Sequence, residues 1–171
     1  DLDFNIGIST DKAAIVSGVY GASKFLMEAL YRQFEVNYPD TKFRIVRYGN
    51  VLYSTGSVLC KWKDLLEKGE TPIITEPKAT RFFWTIDQAV DLIWECMLKA
   101  EDSSPYVPDM KAMKMGDLLQ AMINKYSKDK DIKPEVIGLG QGENLHEKIL
   151  SDGLSSKDAK KFTVKQIMEL I

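Results

Sequence analysis

Apolar residues fall at Leu2, Phe4, Ile6 and Ile8, and this period of two predicts a strand whose C-terminal end delivers Ser9 and Thr10. Ala13–Val19 reads as a loop, with Gly18 and Gly21 allowing close backbone approach at the start of a helix. From Tyr20 to about Asn37 the spacing turns helical through Phe25, Leu26, Ala29 and Leu30, and Tyr38-Pro39-Asp40 ends it. Lys42–Tyr48 is the next strand, centred on Ile45 and Val46, so strand, helix and strand form a βαβ pattern that predicts a parallel sheet. A loop over Gly49–Gly56 carries Asn50.

Further on, Val58, Leu59, Trp62, Leu65 and Leu66 mark an amphipathic helix over Ser57–Lys68, stopped by Gly69. Ile73–Thr75 reads as a short strand and is followed by a polar loop holding Arg81. Thr85-Ile-Asp-Gln88 has the form of a capping box for a helix to about Ala100. Tyr106–Val107 and Pro134–Leu139 read as strands and Lys114–Tyr126 as a helix. Thr163-Val-Lys-Gln166 is a second capping box, opening a terminal helix to Ile171. No repeat, low-complexity tract or long linker interrupts the pattern.

Composition narrows the possible functions. A chain of 171 residues with 44% hydrophobic content can bury one good core. A net charge of −2 argues against nucleic-acid coating or an anionic membrane surface as partner. No apolar run approaches the roughly 18 residues that span a bilayer. Cys60 and Cys96 are isolated and His146 is the single histidine, so neither a disulfide framework nor a metal site is expected; a reducing cytoplasm suits such thiols.

The chemistry concentrates in Ser9–Lys24, STDKAAIVSGVYGASK. Tyr20 and Lys24 are one helical turn apart and share a face, and an ammonium beside a phenol favours the phenolate that serves as a base. Thr10 brings a hydroxyl, and Asp11 and Lys12 set a carboxylate beside an amine. Tyr-x-x-x-Lys alone is common on helix surfaces, and Asp11-Lys12 alone reads equally as a solvated turn pair. The combination is far more specific.

S-T-D-K-A followed by Y-G-A-S-K resembles the active-site segment of extended short-chain dehydrogenases/reductases. More narrowly, it is similar to the soluble, inverting UDP-N-acetylglucosamine 4,6-dehydratases of the polysaccharide biosynthesis family. Arg47-Tyr-Gly-Asn-Val51, Thr80-Arg-Phe82, Tyr106-Val-Pro108, Met113-Lys-Met115 with Asp117-Leu118, and Gly142-Glu-Asn-Leu-His-Glu147 agree in order and spacing. The resemblance runs from Ser9 to about Leu150. It implies an α/β fold: the C-terminal half of a Rossmann-like parallel sheet (1–52 and 78–104), with a small α+β nucleotide-sugar-binding portion (53–77 and 105–171).

The resemblance also implies NADP (or NAD) as cofactor, with Tyr20, Lys24 and Tyr48 beside it, and a UDP-sugar substrate. Tyr20, assisted by Lys24 and Thr10, would deprotonate the sugar 4-hydroxyl; Lys12 would be the base at C5, and Asp11 would protonate the departing 6-hydroxyl. Tyrosine at position 20 favours the inverting branch, since the long membrane-attached relatives carry Met there. Asn50, Arg81, Glu143 and His146 would bind substrate. From the residues alone, Asn50 reads also as a turn residue, Arg81 as a loop charge and His146 as a hydrogen-bonded structural histidine. Lys114 and Asp117 would support the loop and cap the following helix.

Two departures stand out. No G-x-x-G-x-x-G occurs, so the pyrophosphate loop of the fold is missing and the chain reads as the second half of a protein about twice as long. Where the similar enzymes carry Arg-Pro before their G-E-K-L-H-E, this chain has Gly140-Gln141, which removes a cation expected to grip the diphosphate. A 4-epimerase or reductase of the same fold and a non-catalytic remnant are the competing readings. The apolar residues of the Tyr20–Asn37 and Ser57–Lys68 helices suggest a homo-oligomer.

Overall fold

The computed structural model describes residues 2–171. In chain order the elements are β1 (Phe4–Thr10), a 3-10 turn (Asp11–Ala13), α1 (Val19–Asn37), β2 (Lys42–Tyr48), β3 (Asn50–Val51), α2 (Val58–Lys68) and β4 (Ile73–Ile74). There follow β5 (Thr80–Trp84), α3 (Ile86–Lys99), β6 (Pro105–Tyr106), β7 (Ala112–Lys114), α4 (Met115–Tyr126), β8 (Glu135–Val136) and α5 (Val164–Leu170). The chain divides into two compact units.

The first unit holds the residues through Gly49, Ile86–Asp109 and Lys148–Ser155. Its sheet has the order β1-β2-β6, and all of its pairs are parallel, as the βαβ pattern predicts. β1 and β2 run in register from Phe4 opposite Lys42 to Thr10 opposite Tyr48. β2 is buried from Phe43 through Arg47, the continuous run expected of a central parallel strand. α3 places Ala89, Leu92 and Cys96 in the core of this unit. α1 is different: its buried residues are Gly21 and Glu28, while Phe25, Leu26 and Leu30 are exposed.

The second unit holds Asn50–Thr85, Met110–Glu147 and Ser156–Ile171. β5 lies between β3, to which it is parallel, and β7, to which it is antiparallel; β4 and β8 make a separate parallel pair. Leu59, Trp62 and Leu66 of α2 pack with Leu118 and Met122 of α4 and with Ile167 of α5. Each such burial contributes about 1.5–3 kcal/mol. Gly69 ends α2 at φ 75°, left-handed backbone that a side chain would strain. Thr163 and Gln166 form the expected capping box of α5.

Several expectations change. Arg81 lies in a strand, not a loop, because Thr80–Trp84 pairs on both edges. Asn50 opens the short β3 instead of sitting in a turn. Of Pro134–Leu139, Glu135–Val136 alone is strand. Lys114 is the N-cap residue of α4 but makes no side-chain cap. The apolar face of α2 is committed to its own core, so it is not free to pair with a second copy. Residues 50–52 and 78–85, expected with the first part, cluster with the second unit because β3 and β5 pair there; 105–109 and 148–155 cluster with the first.

Candidate active site

In the first unit, β1 ends at Thr10, whose side chain caps the 3-10 turn by accepting from the Lys12 amide. That cap turns the chain sharply, so that three consecutive functional groups converge. Thr10 Oγ1 donates to Asp11 Oδ1 at 2.8 Å, and Lys12 Nζ reaches the same oxygen at 3.1 Å. The Asp11 side chain is 1% exposed and that of Lys12 44% exposed, so the carboxylate is held inside while the ammonium reaches solvent. Ligands of open α/β sheets gather at the carboxyl ends of strands, where this turn sits.

α1 begins beside it. A Cβ on Gly21 would lie 2.3 Å from the Lys12 carbonyl oxygen, so glycine is what allows the first turn of the helix to sit against the Asp11–Lys12 turn. Tyr20, the preceding residue, is 58% exposed. Lys24 Nζ donates to the Ile8 carbonyl at 2.9 Å, near the end of β1. The five residues expected to be catalytic therefore come from the end of one strand and the start of the helix after it.

Tyr48, at the end of β2, donates its hydroxyl to the Ala89 carbonyl at 2.6 Å, and burial pushes its pKa up to about 12. Its hydroxyl serves the packing of α3. One feature escaped the sequence reading: buried Glu28 is paired with Arg47 of β2 at 2.6 Å. The signal was available, because an arginine inside a buried strand demands a carboxylate.

In the second unit, Asn50, Arg81 and Glu143 line a cleft of about 380 Å³, together with Ser54, Ser57, Trp62, Thr75 and Phe83. Arg81 Nε pairs with Glu147 Oε1 at 3.1 Å, and its Nη1 donates to the carbonyls of Thr80 and Leu145. Asn50 Nδ2 donates to the Phe82 carbonyl at 3.2 Å and to Glu147 Oε2 at 3.4 Å. Glu147 thus joins two of the expected substrate residues, a role that its place at the end of G-E-N-L-H-E could have suggested. Glu143 Oε2 accepts from the Gly140 amide at 2.9 Å, closing the turn before the motif.

His146 does not line this cleft. Its Nδ1 lies 2.8 Å from Thr80 Oγ1, which also bonds Ser156 Oγ at 2.7 Å, so it matches the structural alternative. Burial, together with the nearby positive charges of Lys157 and Arg81, lowers its pKa from 6.5. Among the described residues no three His, Cys, Asp or Glu side chains form a metal-binding group, and no helix is long and apolar enough to cross a membrane.

A family model described as polysaccharide biosynthesis protein matches residues 2–169. The capsular polysaccharide biosynthesis protein CapD of Staphylococcus aureus is 38% identical over 84% of this chain and 24% of its own length. The inverting UDP-N-acetylglucosamine 4,6-dehydratase of Campylobacter jejuni subsp. jejuni serotype O:2 is 31% identical over 85% of this chain and 43% of its own length. The X-ray structure of Pen from Bacillus thuringiensis superposes with a TM-score of 0.84 at 25% identity, covering 98% of this chain and 61% of that one. The chain thus spans roughly a quarter to less than half the length of these two curated relatives.

Proposed function

The chain belongs to the polysaccharide biosynthesis protein family, and from that membership we propose that the full-length protein dehydrates a UDP-N-acetylhexosamine to the 4-keto-6-deoxy sugar, inverting C5. The observation that carries this reading is the Thr10–Asp11–Lys12 cluster, packed through Gly21 against the helix turn that bears Tyr20. A simple 4-epimerase needs a base at the 4-hydroxyl and none at C5. Here a carboxylate and an amine are built beside the Tyr-Lys pair, which suits elimination.

The residues present fit the nicotinamide-ribose end of NADP: an exposed phenol at Tyr20 and an ammonium at Lys24 that reaches the end of β1. The pyrophosphate end has no Gly-rich loop in this sequence, and the reading assigns it to a portion of the protein outside this stretch. When bound, the nicotinamide supplies the hydride acceptor for C4 and the hydride donor for C6.

Tyr20 takes the proton of the 4-hydroxyl while Thr10 hydrogen-bonds that oxygen, with Lys24 one helical turn further along α1. The ketone formed at C4 acidifies the C5 proton. Asp11 and Lys12 start as carboxylate and ammonium, the reverse of the forms required. Transfer of one proton across their 3.1 Å contact gives a carboxylic acid and a free amine without exchange with solvent. Lys12 then removes the C5 proton, Asp11 protonates the 6-hydroxyl, and water leaves. Return of a proton to C5 on the opposite face inverts it. Asn50, Arg81 and Glu143 would hold the UDP-sugar in the cleft that they line. The reading includes a cytoplasmic location and assembly with a second copy through the exposed apolar residues of α1.

The test is incubation of the full-length protein with NADP and UDP-N-acetylglucosamine, followed by NMR. The proposal expects the 4-keto-6-deoxy product. A C4 epimer as sole product, or unchanged sugar with NADP bound, would overturn it.

A further inference from the structure

α1 carries Tyr20 and Lys24, and its large side chains meet the sheet from Met27 onward: Met27 and Tyr31 lie over Gly7, and Tyr31 and Phe34 pack on Phe43. Phe25, Leu26 and Leu30 are exposed, and its two buried residues are Gly21 and Glu28. The turns that bear Tyr20 and Lys24 precede these contacts, and a slip of one residue would rotate each side chain by about 100°. A directional contact fixes that rotation more closely than apolar packing does.

Glu28 is fully buried, and three donors reach its two carboxylate oxygens. Ser9 Oγ donates to Oε1 at 2.5 Å and Arg47 Nε to Oε1 at 2.7 Å, while Arg47 Nη2 donates to Oε2 at 2.6 Å. Arg47 Nη1 is itself tied to the Ile149 carbonyl at 2.8 Å. This forked pair fixes direction as well as distance. Glu28 is four residues after Lys24 and eight after Tyr20, so the three share one stripe of the helix, spanning about 12 Å. Its partners are placed to matter: Ser9 precedes Thr10, and Arg47 precedes Tyr48.

We infer that Glu28 is a positioning residue, which with Arg47 and Ser9 sets the axial and rotational register of α1 and thereby aims Tyr20 and Lys24 at the end of β1. Gly21 and Glu28 form a mount on either side of Lys24 that adds to the packing of Met27, Tyr31 and Phe34. Gly21 allows the close approach to the Lys12 carbonyl, and Glu28 locks the helix against turning. The inference rests on the proposed acid–base roles of Tyr20 and Lys24.

The test is the double substitution Glu28→Met with Arg47→Met in the full-length protein. Replacing a buried ion pair by apolar residues is often neutral or stabilising, so loss of folding is not the default outcome. The mount predicts a melting temperature near that of the unsubstituted protein, a KM for the UDP-sugar within about threefold, and a kcat lowered by at least about tenfold. A folded double variant with unchanged kcat overturns the inference. If the double variant does not fold, Ser9→Ala decides: it removes one hydrogen bond and leaves the ion pair, and an unchanged kcat there overturns the inference equally. If the unsubstituted protein turns over no UDP-sugar, the functional reading fails by itself. The mount is then judged by crystallography of the double variant, where loss of the bond from Lys24 to the Ile8 carbonyl supports it and retention refutes it.

Discussion

Arg81 and Glu147 are paired at 3.1 Å with both side chains nearly enclosed, 13% and 11% exposed. Because Glu147 already neutralises this guanidinium, the cleft offers a diphosphate a compensated cation. Glu147→Gln keeps an acceptor for Arg81 Nε while removing one negative charge, so UDP should bind about threefold to tenfold more tightly. Arg81→Met should weaken UDP binding by about tenfold or more. Calorimetric titration with UDP checks both, and weaker binding by the Gln variant would show that Glu147 serves to orient Arg81.

Gly140 occupies the position where the similar dehydratases are expected to carry arginine. A Cβ there would meet the Glu143 carboxyl at 3.7 Å, an ordinary contact, and its backbone is not left-handed. Gly140→Arg should therefore fold normally and restore a cation to the turn before the motif. An added charge-assisted hydrogen bond of about 1.5–3 kcal/mol corresponds to UDP affinity at least about tenfold higher. Unchanged affinity would mean that the diphosphate does not pass this turn.

Gly21→Ala tests the contact between α1 and the Asp11–Lys12 turn. Its Cβ would fall 2.3 Å from the Lys12 carbonyl oxygen, so the helix start or the turn must move. The expected cost is about 1–3 kcal/mol of stability, with turnover falling by roughly a hundredfold because Tyr20 and Lys12 are displaced together. Melting curves and kcat measure the two effects separately.

His146 gives a pH signature. Its pKa is lowered, mainly by burial, so the folded state favours the neutral ring bonded to Thr80. Below the unfolded value of 6.5 the unfolded chain binds the proton more readily, and stability is lost as pH falls through the folded value. The advantage of the unsubstituted protein over His146→Gln in urea melts should be full at about pH 7.5 and shrink toward about pH 5.5. A constant difference would remove His146 from the acid response.

Long periodic segments were legible in the sequence: α1, α2 and α3 appear within a residue or two of their predicted ends, and β2 matches exactly in extent, Lys42–Tyr48. The Thr10, Asp11 and Lys12 cluster was legible because one turn of chain brings consecutive residues together. Arg81 was misread because Thr80–Trp84 becomes a strand through partners at Asn50–Val51 and Ala112–Lys114, pairing that local pattern does not encode. Its Thr, Phe and Trp content was nevertheless strand-like. Glu28 was overlooked for a similar reason: its partners Ser9 and Arg47 are each 19 residues away, and only the fold turns a helix carboxylate into a buried mount.

The proposed elimination turns on Lys12 as the base at C5. Its most direct test is turnover of UDP-N-acetylglucosamine in deuterated water by the full-length protein and its Lys12→Ala variant, with deuterium at C5 of the product followed by NMR. The unsubstituted protein should give a 4-keto-6-deoxy product that carries deuterium at an inverted C5, and the variant no such product. Product without C5 deuterium, or equal turnover by Lys12→Ala, would contradict it.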